Sequence, residues 1–267
     1  MVARLLTYIL LIAVMSACSV YKTAEVSKIV LLAPFEGQYR EIGYDALYSA
    51  RLALSEQNLS GIDLLALDDG GVAELAQGRI EAINQDPSVI AIIALGQYAT
   101  SASAQSTLID TPMIVVGHWG YSDNNENVYN LSHPDIDSYM NFTGNLDDLD
   151  PNLGNIIGGE MLSLYQTPLL YDYTNTLDIY SSASLPTEDF RQRYLDSADF
   201  TPEPNLLSTL SYDATNLILN AITTNTPISE IEYEGINGLI SFENSYWLDA
   251  PIRLYRYQDT RLVEILD

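Results

Sequence analysis

An α/β domain with a doubly wound parallel sheet is predicted by three observations on the sequence. Uninterrupted apolar runs occur at 29–33, 64–67, 89–95 and 112–116, as expected of short strands buried on both faces. Apolar residues recur at helical spacing between these runs. The strand and helix patterns also alternate, which is the order that right-handed crossovers between parallel strands require.

The helices of this first half follow from the same periodicity. The apolar residues Ile42, Ala46, Ala50 and Ala53 share one face and predict a helix after the first strand. A second helix is predicted over 72–83 and a short third helix over 103–108.

The pattern weakens after Tyr121. The stretch 122–154 is rich in Asp, Asn and Ser, and it predicts a long loop or a short irregular insertion. Further along, 188–195 and 211–222 predict helices. Residues 235–266 predict strands with turns at Gly238, Asn244 and Asp259.

The N-terminal segment predicts export. One positive charge at Arg4 precedes the apolar run 5–14, which is shorter than the roughly 20 residues that span a bilayer. Met15-Ser16-Ala17-Cys18 resembles a bacterial lipobox, in which the cysteine is lipidated and becomes the N-terminus. An ordinary signal peptide with an incidental cysteine is the alternative. We therefore expect an extracytoplasmic protein anchored to a membrane by lipid at Cys18, with no other membrane insertion.

Composition and motifs exclude several function classes. The chain has 36 acidic and 11 basic residues and a formal net charge of −25, which disfavours nucleic acid and anionic lipid as partners. No metal is expected, because the two histidines have no partner at ligand spacing. The segment 148–154 is interpreted as an acidic turn, since its glycine is one place late for a calcium loop. No cofactor or nucleophile motif follows a strand, so neither a cofactor nor enzymatic activity is expected, and a hydrolase is disfavoured.

A ligand site is predicted beyond the carboxyl ends of the strands, where open parallel sheets bind their ligands. The segments at these ends are 34–39, 68–71, 96–101 and 117–121, and they combine glycines, hydroxyls, amides and aromatic rings. This composition suits a small polar ligand. The candidate contacts are Tyr39, Tyr98, Thr100, Ser101, Gly117 and Trp119.

Structural roles remain open for the same residues. Thr100 or Ser101 could cap the next helix, and Tyr98 and Trp119 could be packed aromatics. Residues 68–71 are more typical of a turn and helix cap than of a ligand site.

An ordered set of short matches resembles the branched-chain amino-acid-binding family, the type I substrate-binding proteins of ABC transporters. The matches in the first half are Ala33-Pro34-x-x-Gly37, Ile42-Gly43, Ala50-x-x-Ala53, Leu67-Asp68-Asp69-Gly70-Gly71, Asp86 to Ile93, Gly96-Gln97-Tyr98 and Thr111-Pro112-Met113-Ile114. Those downstream are Phe190-x-x-x-Tyr194, Tyr212-Asp213-Ala214 and Gly235-x-x-Gly238-x-Ile240-x-Phe242.

The resemblance implies two lobes, a hinge and a ligand held between them. It implies that hydroxyls at Thr100 and Ser101 and the backbone at Gly117 and Trp119 hold the ligand's amino and carboxylate groups. This sequence departs from the family pattern at Gly117-His118-Trp119, and 134–157 is too short for the usual second lobe.

The domain organisation expected from these points has five segments. They are a lipoprotein signal peptide at 1–17, a tether at 18–27, the first lobe at 28–121, a shortened crossover at 122–157, and a return segment at 158–267. The return segment would complete the first lobe and a reduced second lobe.

Two functions fit this organisation. The first is a lipid-anchored solute-binding protein of an amino-acid-type ABC transporter, or a degenerate relative, with the permease as partner. The alternative is an interaction module that uses a single binding-protein-like lobe to dock another envelope protein.

Overall fold

A computed structural model describes residues 26–120, 125–142, 155–164, 176–258 and 261–266. Cys18, the predicted signal peptide and the predicted acidic turn at 148–154 lie outside these residues. Among the described helices, none has the length and apolar character that crossing a membrane requires.

The first sheet has seven strands: β1 (Ser27–Ala33), β2 (Ile62–Asp68), β3 (Val89–Ala94), β4 (Met113–Val116), β5 (Val128–Leu131), β10 (Phe242–Glu243) and β11 (Tyr246–Trp247). Their spatial order is β10-β11-β5-β4-β3-β1-β2, and every neighbouring pair except β10 with β11 is parallel. The order β2-β1-β3-β4-β5 is doubly wound, and its direction reverses between β1 and β3. The predicted α/β fold is confirmed.

Burial separates the central strands from the edge strand. All of Ile29 to Ala33 in β1 is fully buried, as a strand covered on both faces should be. In contrast, β2 lies at the edge, where Leu65 is exposed. The apolar run 64–67 therefore predicted a strand correctly but overestimated its burial, because position within the sheet depends on pairing with β1.

Helices connect and cover these strands. They are α1 (Arg40–Gln57), α2 (Ala73–Ile83), α3 (Ala102–Thr107), α4 (Glu188–Asp196) and α5 (Leu206–Thr224). α1 packs against α5, and α2 packs against α3. Asn205 and Ser208 begin α5 with a reciprocal capping box, which satisfies two backbone N–H groups of the first turn.

A second sheet of four strands has the order β13-β12-β7-β6. Its strands are β6 (Asn155–Gly158), β7 (Thr176–Ser181), β12 (Arg253–Gln258) and β13 (Arg261–Ile265). Two neighbouring strands, β12 and β13, come from the C-terminal segment, and β13 lies at one edge of the sheet. A short 3₁₀ helix, Glu160–Ser163, follows β6 and faces the first lobe.

The lobe boundaries differ from those expected from the sequence. β5 pairs with β4, so the first sheet continues past Tyr121 to Leu131. β7 belongs to the second sheet, so the return to the first lobe follows Ser181. The sequence did not predict β5, because it is only four residues long and contains the polar Asn130. So short a segment shows no clear apolar periodicity.

Two short hairpins precede β12 in the chain, and one of them completes the first sheet. β10 (Phe242–Glu243) and β11 (Tyr246–Trp247) form a hairpin at the edge of the first sheet, beside β5. Its turn residues Asn244 and Ser245 both have positive φ, as a type I′ hairpin turn requires. β8 (Tyr233–Gly235) and β9 (Gly238–Ile240) form a separate hairpin.

Candidate functional site

A cavity of about 240 Å³ lies at the carboxyl ends of β1 to β4. It coincides with the point where the strand order reverses, the usual ligand site of open α/β sheets. The lining residues are Pro34, Glu36, Gly37, Gln38, Tyr39, Ile42, Asp69, Gly71, Gly96, Gln97, Tyr98, Trp119 and Met161.

Asp68 holds the loop that forms one wall of this cavity. Its Oδ1 accepts hydrogen bonds from the N–H groups of Phe35 at 2.7 Å and Glu36 at 3.1 Å. Its Oδ2 accepts one from Gly70 at 2.9 Å. The carboxylate at the end of β2 thus fixes the loop that follows β1.

Gly96 allows the loops after β1 and β3 to meet. Its φ is +92°, and an added Cβ would lie 2.8 Å from the Pro34 ring. A side chain here would therefore meet both backbone strain and a clash. The close approach brings Gln97 and Tyr98 to the cavity.

Three of the predicted contact residues lie together in the cavity wall. Tyr39 and Tyr98 are half-buried, while Trp119 is buried. The indole N–H of Trp119 donates to the Val116 carbonyl at 2.8 Å, so its hydrogen-bonding capacity is used within the protein. The two tyrosines and the tryptophan present aromatic surface from three different loops.

The other three predicted contact residues do not line the cavity. Thr100 is fully buried, and its hydroxyl donates to the Gly96 carbonyl at 2.8 Å. Ser101 caps α3 by accepting from Ala104 N–H at 3.3 Å, the structural role left open above. Gly117 has a φ of +80°, and an added Cβ would lie 2.9 Å from Leu207 Cδ2.

Asp69 is a cavity residue that the sequence placed only within a turn segment. It is 1% exposed, and Gly71 N–H donates to its Oδ1 at 2.9 Å. Its Oδ2 has no hydrogen-bond partner among the described residues. Burial raises the pKa of this carboxyl, the N–H groups of Gly71 and Ala99 oppose that effect, and the Asp68 carboxylate reinforces it.

Met161 is the second residue that sequence reasoning missed. It comes from the 3₁₀ helix of the second lobe and faces a cavity whose other walls belong to the first lobe. It also borders a neighbouring cavity of about 20 Å³, which has room for a single water molecule. No sequence signal marked Met161, because its position depends on how the two lobes meet.

Polar contacts join the lobes beside this site. Glu160 is fully buried; its Oε2 accepts from His118 N–H at 3.0 Å and its Oε1 from the Ser181 hydroxyl at 2.7 Å. His118 Nε2 also lies 2.6 Å from Asp137 Oδ1. Side chains of the second lobe and the crossover thereby meet the loop after β4.

The two sheets, the crossovers between them and the cavity at the reversal of strand order define a type I periplasmic-binding-protein fold. Solved structures show the same architecture. The leucine-binding protein LivK of Thermotoga maritima has a TM-score of 0.67 and 14% identity, over 90% of this chain and 98% of that one. LivJ of Streptococcus pneumoniae, a branched-chain amino acid transporter substrate-binding protein in complex with isoleucine, has a TM-score of 0.66 and 14% identity, over 90% and 100%.

A solute-binding protein of an ABC transporter from R. palustris, in complex with benzoate, is similar to the same extent. Its TM-score is 0.66 at 11% identity, over 89% of this chain and 95% of that one. The resemblance to branched-chain amino-acid-binding proteins is therefore confirmed at the level of the fold. No protein-family model matches the sequence, and no curated protein matches it.

Proposed function

We propose that this chain is a solute-binding protein that works outside the cytoplasm and captures a small polar molecule for an ABC permease. The observation that carries the proposal is the cavity at the reversal of strand order, with walls from the loops after β1 to β4 and from Met161. Such a site suits non-covalent capture, and the proposed role requires no enzymatic step.

The second lobe would act as the cover of the site. Met161 is the cavity residue from that lobe, so a ligand would rest mainly on the first lobe. Closure of one lobe on the other commonly completes such sites. The few contacts from the second lobe favour modest affinity.

The test is a thermal-shift screen of the mature chain with amino acids, amines, carboxylates and sugars, followed by calorimetry on any hit. A true ligand raises the melting temperature by mass action. Tyr98→Ala, in the cavity wall, should reduce the shift, whereas Tyr246→Ala, at the far edge of the first sheet, should preserve it. A screen without any stabilising solute, together with capture of one defined envelope protein, would favour the interaction module instead.

Anchoring through lipid at Cys18 is part of the proposal. It rests on the short apolar run 5–14 and on the small residues before the cysteine. Cys18→Ser should release the protein from membranes or leave its signal uncleaved. A processed Cys18→Ser protein that still fractionates with membranes would contradict the anchor while leaving the binding role intact.

A further inference from the structure

Two adjacent carboxylates at the end of β2 have opposite environments. Asp68 accepts three backbone hydrogen bonds and is fully engaged in holding the loop after β1. Asp69 lines the cavity; its Oδ1 accepts from Gly71 N–H, and the nearby Ala99 N–H also lowers the pKa of this carboxyl. Its Oδ2 is buried and accepts no hydrogen bond of normal geometry from the described residues. Asp68 therefore has a structural role, while half of the Asp69 carboxylate has none.

An unpartnered buried carboxylate oxygen is costly, because the charge loses its hydration without gaining a hydrogen bond. Such a group in a ligand cavity is explained if the ligand supplies the missing donor. A cationic donor would also offset the burial that raises the pKa of Asp69.

The remaining walls favour positive charge. None of the described lining residues is Lys, Arg or His, and Glu36 adds a second carboxylate at the exposed rim. Tyr39, Tyr98 and Trp119 supply aromatic rings, whose faces attract cations. The net charge of −25 also raises the local concentration of cations near the protein.

The same cavity offers little to a carboxylate. After β3, Thr100 N–H donates to the Gly96 carbonyl at 3.1 Å, and Ser101 N–H donates to the Tyr98 carbonyl at 3.2 Å. The hydroxyls of both residues are engaged within the protein as well. Thr100 and Ser101, two of the residues expected from the sequence to hold an amino acid's polar groups, therefore have their N–H and hydroxyl groups occupied.

We propose that the cavity selects an organic cation, an ammonium-bearing small molecule without a carboxylate, and that Asp69 Oδ2 accepts a hydrogen bond from its ammonium group. This inference rests on the proposed function and names the ligand class for the same cavity. A zwitterionic amino acid would place its carboxylate near Asp69 and Glu36 without a cation to balance it. The amine and its parent amino acid should therefore differ clearly in affinity.

Matched pairs of probes test the ligand class directly. Isoamylamine, putrescine and agmatine are the decarboxylated forms of leucine, ornithine and arginine, so each pair differs only by the carboxylate. Calorimetry on the wild-type mature chain should show at least one amine binding about tenfold or more tightly than its parent, since tenfold corresponds to 1.4 kcal/mol. An amino acid that binds as tightly as its amine, or more tightly, would overturn the inference and leave the proposed function standing.

The role of Asp69 is tested by Asp69→Asn, which keeps Oδ1 to accept from Gly71 and removes the charge. It should weaken the preferred amine by about tenfold to hundredfold, the range for a hydrogen bond to a charged group. Glu36→Gln, which removes one carboxylate from the exposed rim, should weaken it less than threefold. Equal effects of the two variants would show that the cavity senses only general negative charge, and would overturn the role of Asp69.

Failure of the proposed function has a different signature. If no amine, amino acid, carboxylate or sugar binds the wild-type chain, both the solute-binding role and the cation class are wrong. The comparison within pairs uses only the wild-type protein, so it stands even if Asp69→Asn does not fold.

Discussion

The two lobes bury their strands in different ways. In the first lobe, β1, β3 and β4 are buried almost throughout, because helices and loops cover both faces. In the second lobe, β7 alternates between buried residues such as Leu177 and Ile179 and half-buried ones such as Asp178. The first sheet is therefore a core layer, whereas the second, in which β7 is parallel to β6 and antiparallel to β12, has one face more covered than the other.

The lobes also differ in how they accommodate acidic side chains. In the first lobe, Asp45, Asp69 and Asp213 are buried, and amide or backbone N–H groups donate hydrogen bonds to their carboxylates. In the second lobe, Asp178 pairs with Arg256 on the neighbouring strand through two hydrogen bonds of 2.5 and 2.7 Å. We therefore expect the stability of the first lobe to depend on pH through its buried acids. The stability contributed by the ion pair of the second lobe should depend on the two-point contact between Asp178 and Arg256.

The largest expected effect on stability comes from the difference in burial between the two sheets. Ile93→Ala, in the fully buried β3, should lower the free energy of unfolding by about 2–5 kcal/mol. Val263→Ala, on β13 and 36% exposed, should change it by about 0.5 kcal/mol or less. Urea unfolding of both variants measures the difference, and similar losses would mean that the second sheet is packed as a core.

Gly117 tests the junction between the lobes. Gly117→Ala should cost about 2–4 kcal/mol, because φ is +80° and the new Cβ would press on Leu207 and approach Glu160. Gly78→Ala, inside α2 with open space around it, should instead stabilise by about 0.5–1 kcal/mol. Thermal unfolding resolves the opposite signs, and a neutral Gly117→Ala would show that the junction can relax.

Asp45 is the buried acid of the first lobe for which we predict a pH dependence of stability. Burial raises its pKa to about 8, and hydrogen bonding from Asn205 opposes this only in part. Between about pH 4 and pH 8, Asp45 therefore keeps its proton in the native state and loses it in the unfolded state. Its contribution to the free energy of unfolding is complete below pH 4 and is lost as the pH rises to about 8.

Asp45→Asn removes this linkage. At pH 8 the variant should be more stable than the wild type by about 1–3 kcal/mol, and its stability should vary less between pH 4 and pH 8. Exposed Asp63→Asn serves as the control and should leave the wild-type profile unchanged. Parallel wild-type and Asp45→Asn profiles would mean that Asp45 does not stay protonated in the native state.

The smallest effect is expected at the ion pair of the second lobe. Arg256→Lys keeps the charge but loses the two-point contact with Asp178, and it should cost about 0.5–1 kcal/mol. High salt should reduce the difference between the variant and the wild type, because the pair is partly exposed. A larger, salt-independent loss would indicate that Arg256 acts mainly through packing.

By itself the sequence determined the first four strands of the first lobe and most of its helices. Continuous apolar runs and helical spacing are local properties, so β1 to β4, α1, α2, α4 and α5 could be predicted, as could the edge of the sheet that carries Tyr39, Tyr98 and Trp119. Only the tertiary structure decided the pairing of the four-residue β5, the position of Met161 and the different environments of Asp68 and Asp69. These depend on contacts between residues distant in the chain, and whether a carboxylate finds a donor is decided by which loop packs beside it.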